Sequence, residues 1–321
     1  MCSLFGILDY KGSLTQPQRL RIVRELGKAA QIRGTDATGI AFFHAGTLHI
    51  QKAPKPARRM KYRIPDTVRV IMGHTRMSTQ GNEKKNQNNH PFPGKTEKGR
   101  FALAHNGVLY NDFDLRRKYH LPQSKIETDS YVAVQLLERW KVLDHKSLQA
   151  MAEDLEGSFT ITVLDDKNSL YFVRGNNPLA IWQLPSLGVY LYASTEEILR
   201  TAVSKLGLPV QDKTDIPTRQ GDILEIDSAG QRTLSRFDDR KLAEWQNPWR
   251  YGWGGGLTED TETESYMDQL VDFGLRMGVP EAELHLLLDA GYDAFDMEEL
   301  LYDPTLRRSC VQEILCDWGV C

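Results

Sequence analysis

Apolar positions in the first 240 residues switch repeatedly between two spacings. Short, nearly continuous apolar runs read as buried strands, and apolar residues three and four apart read as helices laid over them. Residues 2–8 form the first strand-like run. Over 16–31, Leu20, Val23, Leu26, Ala29 and Ala30 follow helical spacing, with Thr15 as candidate N-cap and Pro17 in the first turn. Residues 39–51 and 68–74 read as strands. A polar loop at 80–100, rich in Asn, Lys and Gly, leads into an apolar run at 101–105 that ends in His-Asn-Gly, a turn signal. Helices are expected at 128–140 and near 147–155. Strands follow at 159–165, 170–174, 179–184 and 189–194, then a closing hairpin at 221–227 and 232–237. Antiparallel-looking strands with a few long helices favour layered sheets covered by helices.

The pattern breaks at 245–256, where Trp245, Trp249 and Trp253 precede three consecutive glycines, a linker composition. Beyond it the chain reads as helical. Met267, Leu270, Val271 and Leu275 share a face; Pro280 opens a helix carrying Leu284, Leu287 and Leu288 that stops near Gly291; Asp296 and Asp303 are candidate N-caps for two more. The expected organisation is a domain over 1–244, a linker over 245–256 and a helical region over 257–321.

Charge supports that division. The net charge of −3 conceals 16 acidic and 3 basic residues in 257–321, against 27 acidic and 37 basic residues before them. The tail reads either as a small appendage with solvated charge, or as a unit that docks on the basic body or recruits a partner. The basic segments 52–69 and 82–100 read as solvated loops, so no nucleic-acid partner is expected. No apolar run approaches a membrane span, and no membrane partner is expected. The front of the chain lacks a basic region followed by a long apolar stretch, which makes the cytoplasm the default compartment. Of four cysteines, Cys310, Cys316 and Cys321 form no CxxC pair and have no neighbouring histidine; they read as reduced thiols rather than a zinc site.

Cys2 stands apart. Removal of the initiator Met would leave its thiol beside a free α-amino group, which can act as general base for its own side chain. On position alone, a small buried strand residue is the favoured reading. Other segments reverse it: Arg33-Gly34-Thr35-Asp36-Ala37-Thr38-Gly39-Ile40, then Gly73-His74-Thr75-Arg76-Met77-Ser78-Thr79-Gln80-Gly81, Asn89-His90-Pro91-Phe92, Ala104-His105-Asn106-Gly107 and Glu127-Thr128-Asp129-Ser130. With the leading Cys-Ser-Leu-Phe-Gly-Ile, this ordered series resembles the class II glutamine amidotransferases over about residues 2–230, and especially the glutaminase domain of glucosamine-6-phosphate synthase.

The resemblance implies an α+β fold, the four-layer α/β/β/α sandwich of N-terminal-nucleophile hydrolases, here with a small all-α appendage. It implies hydrolysis of L-glutamine through a thioester on Cys2. The Asn106 side chain and Gly107 amide would form the oxyanion hole, Arg76 would bind the α-carboxylate with help from Thr79, and Asp129 the α-ammonium. Arg33 matches an arginine near the nucleophile, and His90 a histidine of a flexible loop over glutamine. Asn106-Gly107 is expected to be a turn that presents both donors to Cys2. Gln80 stands where the synthase commonly has His. No cofactor or metal is implied, and neither a phosphate loop nor a Gly-rich nucleotide fingerprint is present. The residues after 257 are too few for an acceptor domain, which points to a glutaminase that delivers ammonia to a separate acceptor enzyme. Two rivals stand beside this reading: a hydrolase of other γ-glutamyl amides or peptides, and a non-catalytic binding module.

Overall fold

A computed structural model describes residues 2–78, 80–245, 267, 270–271, 274–275, 278–292, 296–297, 300–301 and 304–317. The chain divides into two compact units, Met1–Trp245 and Gln246–Cys321.

The first unit holds two antiparallel sheets. Its strands are β1 (Ser3–Asp9), β2 (Ala37–His44), β3 (Thr47–Ala53), β4 (Val70–Arg76), β5 (Phe92–Lys95), β6 (Arg100–Leu109), β7 (Gly157–Asp165), β8 (Leu170–Arg174), β9 (Ala180–Leu184), β10 (Val189–Ala193), β11 (Thr214–Asp215), β12 (Asp222–Ile226) and β13 (Arg232–Arg236). The seven-stranded sheet runs β11-β9-β10-β1-β4-β2-β3 and the six-stranded one β13-β12-β8-β7-β6-β5. Helices α1 (Gln16–Ala30) and α5 (Glu196–Leu206) cover the first sheet; α2 (Asp112–Lys118), α3 (Tyr131–Glu138), α4 (His145–Asp154) and α6 (Arg240–Trp245) belong with the second.

Period-two alternation decides which layer each residue joins. In β1, Phe5 and Ile7 pack under α1 and α5, while Leu4 and Leu8 enter the layer between the sheets. In β6, Phe101 and Leu103 face α3 and α4, while Ala102 and Ala104 face the other sheet. In β10, Leu191 and Ala193 face the helices and Tyr190 and Tyr192 face inward. Both faces of each sheet are covered, so these strands are apolar at nearly every position instead of alternating with polar ones. Each fully buried Leu or Phe contributes about 1.5–3 kcal/mol of transfer free energy. The result is the α/β/β/α sandwich.

Three expectations about the strands and loops of the first unit need correction. Residues 39–51 are a hairpin, not one strand: Ala45 and Gly46 both take positive φ, 48° and 73°, as a two-residue turn between strands requires. His105-Asn106-Gly107 is no turn. β6 runs through it, with Asn106 opposite Thr160 and Gly107 opposite Phe159. Glycine is needed there for close packing: Gly107 has φ 139°, and a Cβ would lie 1.9 Å from the Ser158 carbonyl oxygen. The polar 80–100 segment is no solvated loop either. It buries Asn88, Asn89, His90 and Phe92 and contributes β5.

Helix signals explain α1 and α5. Thr15 is the N-cap of α1, and the Gln18 side chain accepts the Thr15 backbone N–H at 2.8 Å. The pattern reading passed over α5, although Thr195 caps its start, Glu196 and Glu197 lie in its first turn and Gly207 closes it at φ 63°. Its stripe of Ile198, Leu199, Ala202, Val203 and Leu206 is buried.

In the second unit, helices Glu281–Asp289 and Pro304–Asp317 contribute to a core that includes Leu270, Val279, Leu284, Leu287, Met297, Leu300, Leu301 and Ile314. Asp296 is itself helical rather than a cap, and Asp303 and the Trp/Gly-rich stretch from 246 lie outside the described residues. Cys310 is free, but Cys316 is disulfide-bonded, against the expectation of reduced thiols.

Candidate active site

The alternation that builds the layer between the sheets also builds the site. At one end of the sandwich the inward rows turn polar. Leu4 and Leu8 of β1 lead back to Cys2; Val70 and Met72 of β4 lead on to His74 and Arg76; Ala102 and Ala104 of β6 lead on to Asn106; and Tyr190 and Tyr192 of β10 lead on to Ser194. Ser3 pairs with Thr75, and the next step of that register sets Cys2 beside Arg76.

Cys2 is half-buried. Its Sγ donates to the Met77 carbonyl at 3.5 Å, and Arg33 Nε donates to the Cys2 carbonyl at 3.3 Å. Burial pushes the thiol up from its ordinary range; the positive charges of the chain's amino terminus and of Arg76 oppose this, and Asp129 adds to it. A neutral thiol in these surroundings needs a base to become a nucleophile.

Arg76 is buried. Its Nη1 donates to Asn89 Oδ1 at 2.7 Å, and Nη2 donates to the carbonyls of Gln80 and Gly81, the latter at 3.0 Å. Burial works against its charge, while Cys2, Asp36, Glu83 and Asp129 support it. Asp129 is also buried. Its Oδ2 accepts the Leu109 N–H at 2.6 Å and its Oδ1 accepts from Ser130 Oγ at 3.3 Å. It precedes α3, which starts at Tyr131, so it is not a residue of the helix expected from 128. The carboxylate is fixed to the end of the strand that carries Asn106 and Gly107.

Asn106 is fully buried. Its backbone carbonyl accepts from Asn177 Nδ2 at 2.9 Å, and its own Nδ2 lies 3.4 Å from Ser194 Oγ. Its Oδ1 has no partner. Thr79 lies outside the described residues. The structure thus gathers Cys2, Arg33, Arg76, Asp129 and Asn106-Gly107 around the ends of β1, β4 and β6.

His90 departs from its expected place. It is not on an open loop: its ring is buried, with its centroid 4.3 Å from those of both His74 and Phe92. His74 bonds the His105 carbonyl at 3.0 Å, and His105 Nδ1 bonds Ser130 Oγ at 2.8 Å. Burial lowers the pKa of all three histidines, that of His74 to about 3, so they form a neutral floor; the charge of Arg76 lowers those of His74 and His90 further. Lys52 holds the Asn89 and Pro91 carbonyls, and burial together with Arg76 lowers its pKa to about 8. Among the described residues no three His, Cys, Asp or Glu side chains gather as metal ligands would, and no helix is long and apolar enough to cross a membrane.

The pattern reading missed Asn89, Asp36, Asn177 and Ser194. Asn89 and Asp36 lie inside the motif series but had no role there. Asp36 Oδ2 accepts the Ser78 N–H at 2.8 Å and so holds the segment after Arg76. Asn177 and Ser194 carried no signal, because each reaches the site from a distant strand end.

Residues 74–201 match the family model described as a glutamine amidotransferase domain. Over those residues the chain is similar to glutamine amidotransferases. Among the curated relatives is the glutamine–fructose-6-phosphate aminotransferase (isomerizing) of Geobacillus kaustophilus. It is 30% identical over 196 residues, covering 56% of this chain and 30% of the relative. The 7-cyano-7-deazaguanine synthase of Saccharolobus solfataricus is 28% identical over 207 residues, covering 61% of this chain and 43% of the relative. The chain therefore spans less than half the length of these relatives. A solved glutamine phosphoribosylpyrophosphate amidotransferase from B. subtilis superposes with a TM-score of 0.59 at 20% identity, over 74% of this chain and 49% of that one; this likeness carries the fold. Members of the family are enzymes acting on the amide C–N bond of glutamine.

Proposed function

We propose that this chain hydrolyses L-glutamine to glutamate and ammonia through a thioester on Cys2, and that the ammonia passes to a separate acceptor enzyme. The observation that carries the reading is the inward polar row: Cys2, Arg76 and Asn106 share one end of the inter-sheet layer, with Asp129 fixed beside them. The set of groups suits an amino acid with a γ-carboxamide. Arg76 takes the α-carboxylate, Asp129 the α-ammonium, and the carboxamide reaches the thiol.

After removal of Met1, the α-amine of Cys2 takes the thiol proton and Sγ attacks the amide carbon. The oxyanion receives hydrogen bonds from the Asn106 side chain and the Gly107 N–H. The α-ammonium of Cys2 gives that proton to the amide nitrogen, and collapse of the tetrahedral intermediate expels ammonia and leaves a γ-glutamyl thioester, which water cleaves to glutamate with return of a proton to Sγ. Arg33 steadies the Cys2 carbonyl, Thr79 assists Arg76, and His90 supports the floor rather than touching substrate. The names of the two curated relatives point to different reactions, so the acceptor is not inherited from them.

Purified wild-type protein should release glutamate and ammonia in equal amounts from glutamine, and Cys2→Ala should abolish release while leaving the circular dichroism spectrum unchanged. Turnover of γ-glutamyl peptides in preference to glutamine would replace the reading with that of a γ-glutamyl hydrolase. Retained Met1 in the intact mass of an active preparation would remove the α-amine as base.

A further inference from the structure

The hydrogen bonds around Asn106 do not close as they stand. Ser194 follows β10 in the seven-stranded sheet and faces Asn106 of the six-stranded sheet across the inner layer. Its Oγ accepts the Leu4 N–H at 2.8 Å, and its own N–H donates to the Leu4 carbonyl at 3.0 Å. Asn106 Nδ2 is a second donor aimed at the same Oγ, at 3.4 Å. Both contacts leave the serine hydroxyl proton without use, and Asn106 Oδ1 is buried with no donor. One side of the pair has an idle proton and the other an idle acceptor. A buried polar group left in that condition costs about 1–3 kcal/mol.

A half-turn of the Asn106 amide resolves both. Ser194 Oγ then donates to Oδ1 while still accepting from Leu4, and Nδ2 swings to the side that Oδ1 now occupies. The two ends of an amide are nearly equal in shape, so the turn asks for little repacking, and hydrogen bonds alone choose between them. We infer that Ser194 is a positioning residue of the oxyanion hole: its hydroxyl holds Asn106 Oδ1 and so points the Nδ2 donors at the developing oxyanion. The same serine clamps Leu4, two residues after the nucleophile, by two hydrogen bonds. It thereby links the strand that carries Cys2 to the strand that carries Asn106, and these belong to different sheets. A hydroxyl is suited to this position because it accepts from one strand and donates to the other; Ala does neither. This inference rests on the glutaminase reading, since it assigns Ser194 a role only through Asn106.

The test is a double-mutant cycle on the full chain with glutamine as substrate. Ser194→Ala should lower kcat about tenfold, the size expected for one lost neutral hydrogen bond that orients a donor, with KM for glutamine held within about twofold. In an Asn106→Ala background the same substitution should cause no further loss. The γ-aldehyde of glutamate, which adds to a thiol and forms a tetrahedral oxyanion, should lose affinity in parallel with kcat, while glutamate itself binds Ser194→Ala as it binds wild type. If Ser194→Ala does not fold, Ser194→Cys keeps the shape and a weak donor and should show an intermediate kcat. An unchanged kcat in Ser194→Ala, or in Ser194→Cys where that variant stands in, overturns the assignment, as does a loss that persists in full without Asn106. Wild-type protein that releases no ammonia from glutamine overturns the glutaminase reading and this inference with it; active wild type with an undiminished serine variant overturns this inference alone.

Discussion

At the residue scale, the proposed site separates binding from chemistry. Arg76 presents a planar guanidinium, already engaged by Asn89 and two backbone carbonyls, at the place proposed for the α-carboxylate. Lysine has one compact charge and cannot reproduce two parallel contacts. Arg76→Lys should therefore raise KM by about tenfold or more with a smaller change in kcat. Asn106→Ala should do the reverse, lowering kcat by a factor equivalent to about 2.7–4 kcal/mol with little change in KM. Steady-state kinetics on both variants distinguishes the roles, and equal effects on both parameters in both variants would dissolve the division. Arg76, Asp129, Asn106 and Gly107 stood out as candidates in the ordered motifs. Asn89, Asn177 and Ser194 were not, because each acts through a contact made only when distant strands meet.

At the element scale, the ends of β4, β5 and β6 share a layer of neutral histidines. Both ring nitrogens of His90 lack partners, and burial, with the nearby charges of Arg76 and Lys52, holds its pKa well below the ordinary value. A folded pKa below the unfolded one means that the unfolded chain binds the proton more readily. The contribution to stability is then full above about pH 6.5 and is lost as pH falls below it. His90→Phe keeps an aromatic ring against His74 and Phe92 and removes the proton-binding group. It should retain stability at neutral pH and move the acid-unfolding midpoint, followed by circular dichroism, to lower pH. A midpoint that stays in place would mean that the acid limit is set elsewhere. Strand and helix patterns were readable here, but the state of Asn106-Gly107 was not. Asn-Gly favours a turn in a short peptide, and only the neighbouring strand β7, packed against Gly107, makes it continue as strand.

At the scale of the whole molecule, every residue proposed for the site lies in the unit that ends at Trp245. A chain ending there should fold cooperatively and retain glutaminase activity within about threefold of the full chain, as measured by thermal melting and ammonia release. Loss of activity with an intact melt would give the remaining residues a part in catalysis. By itself the sequence determined the layers, most strands, helices such as α1, the acidic character of the tail and the residues proposed as the reacting groups. Each of these depends on residue type and on spacing along one segment. Tertiary structure alone decided which inward rows end at the same place, that His90 is buried rather than on an open loop, and that Ser194 meets both Leu4 of β1 and Asn106 of β6. Those outcomes depend on the register and stacking of two sheets, whose partners lie up to 190 residues apart in the chain, as Leu4 and Ser194 do.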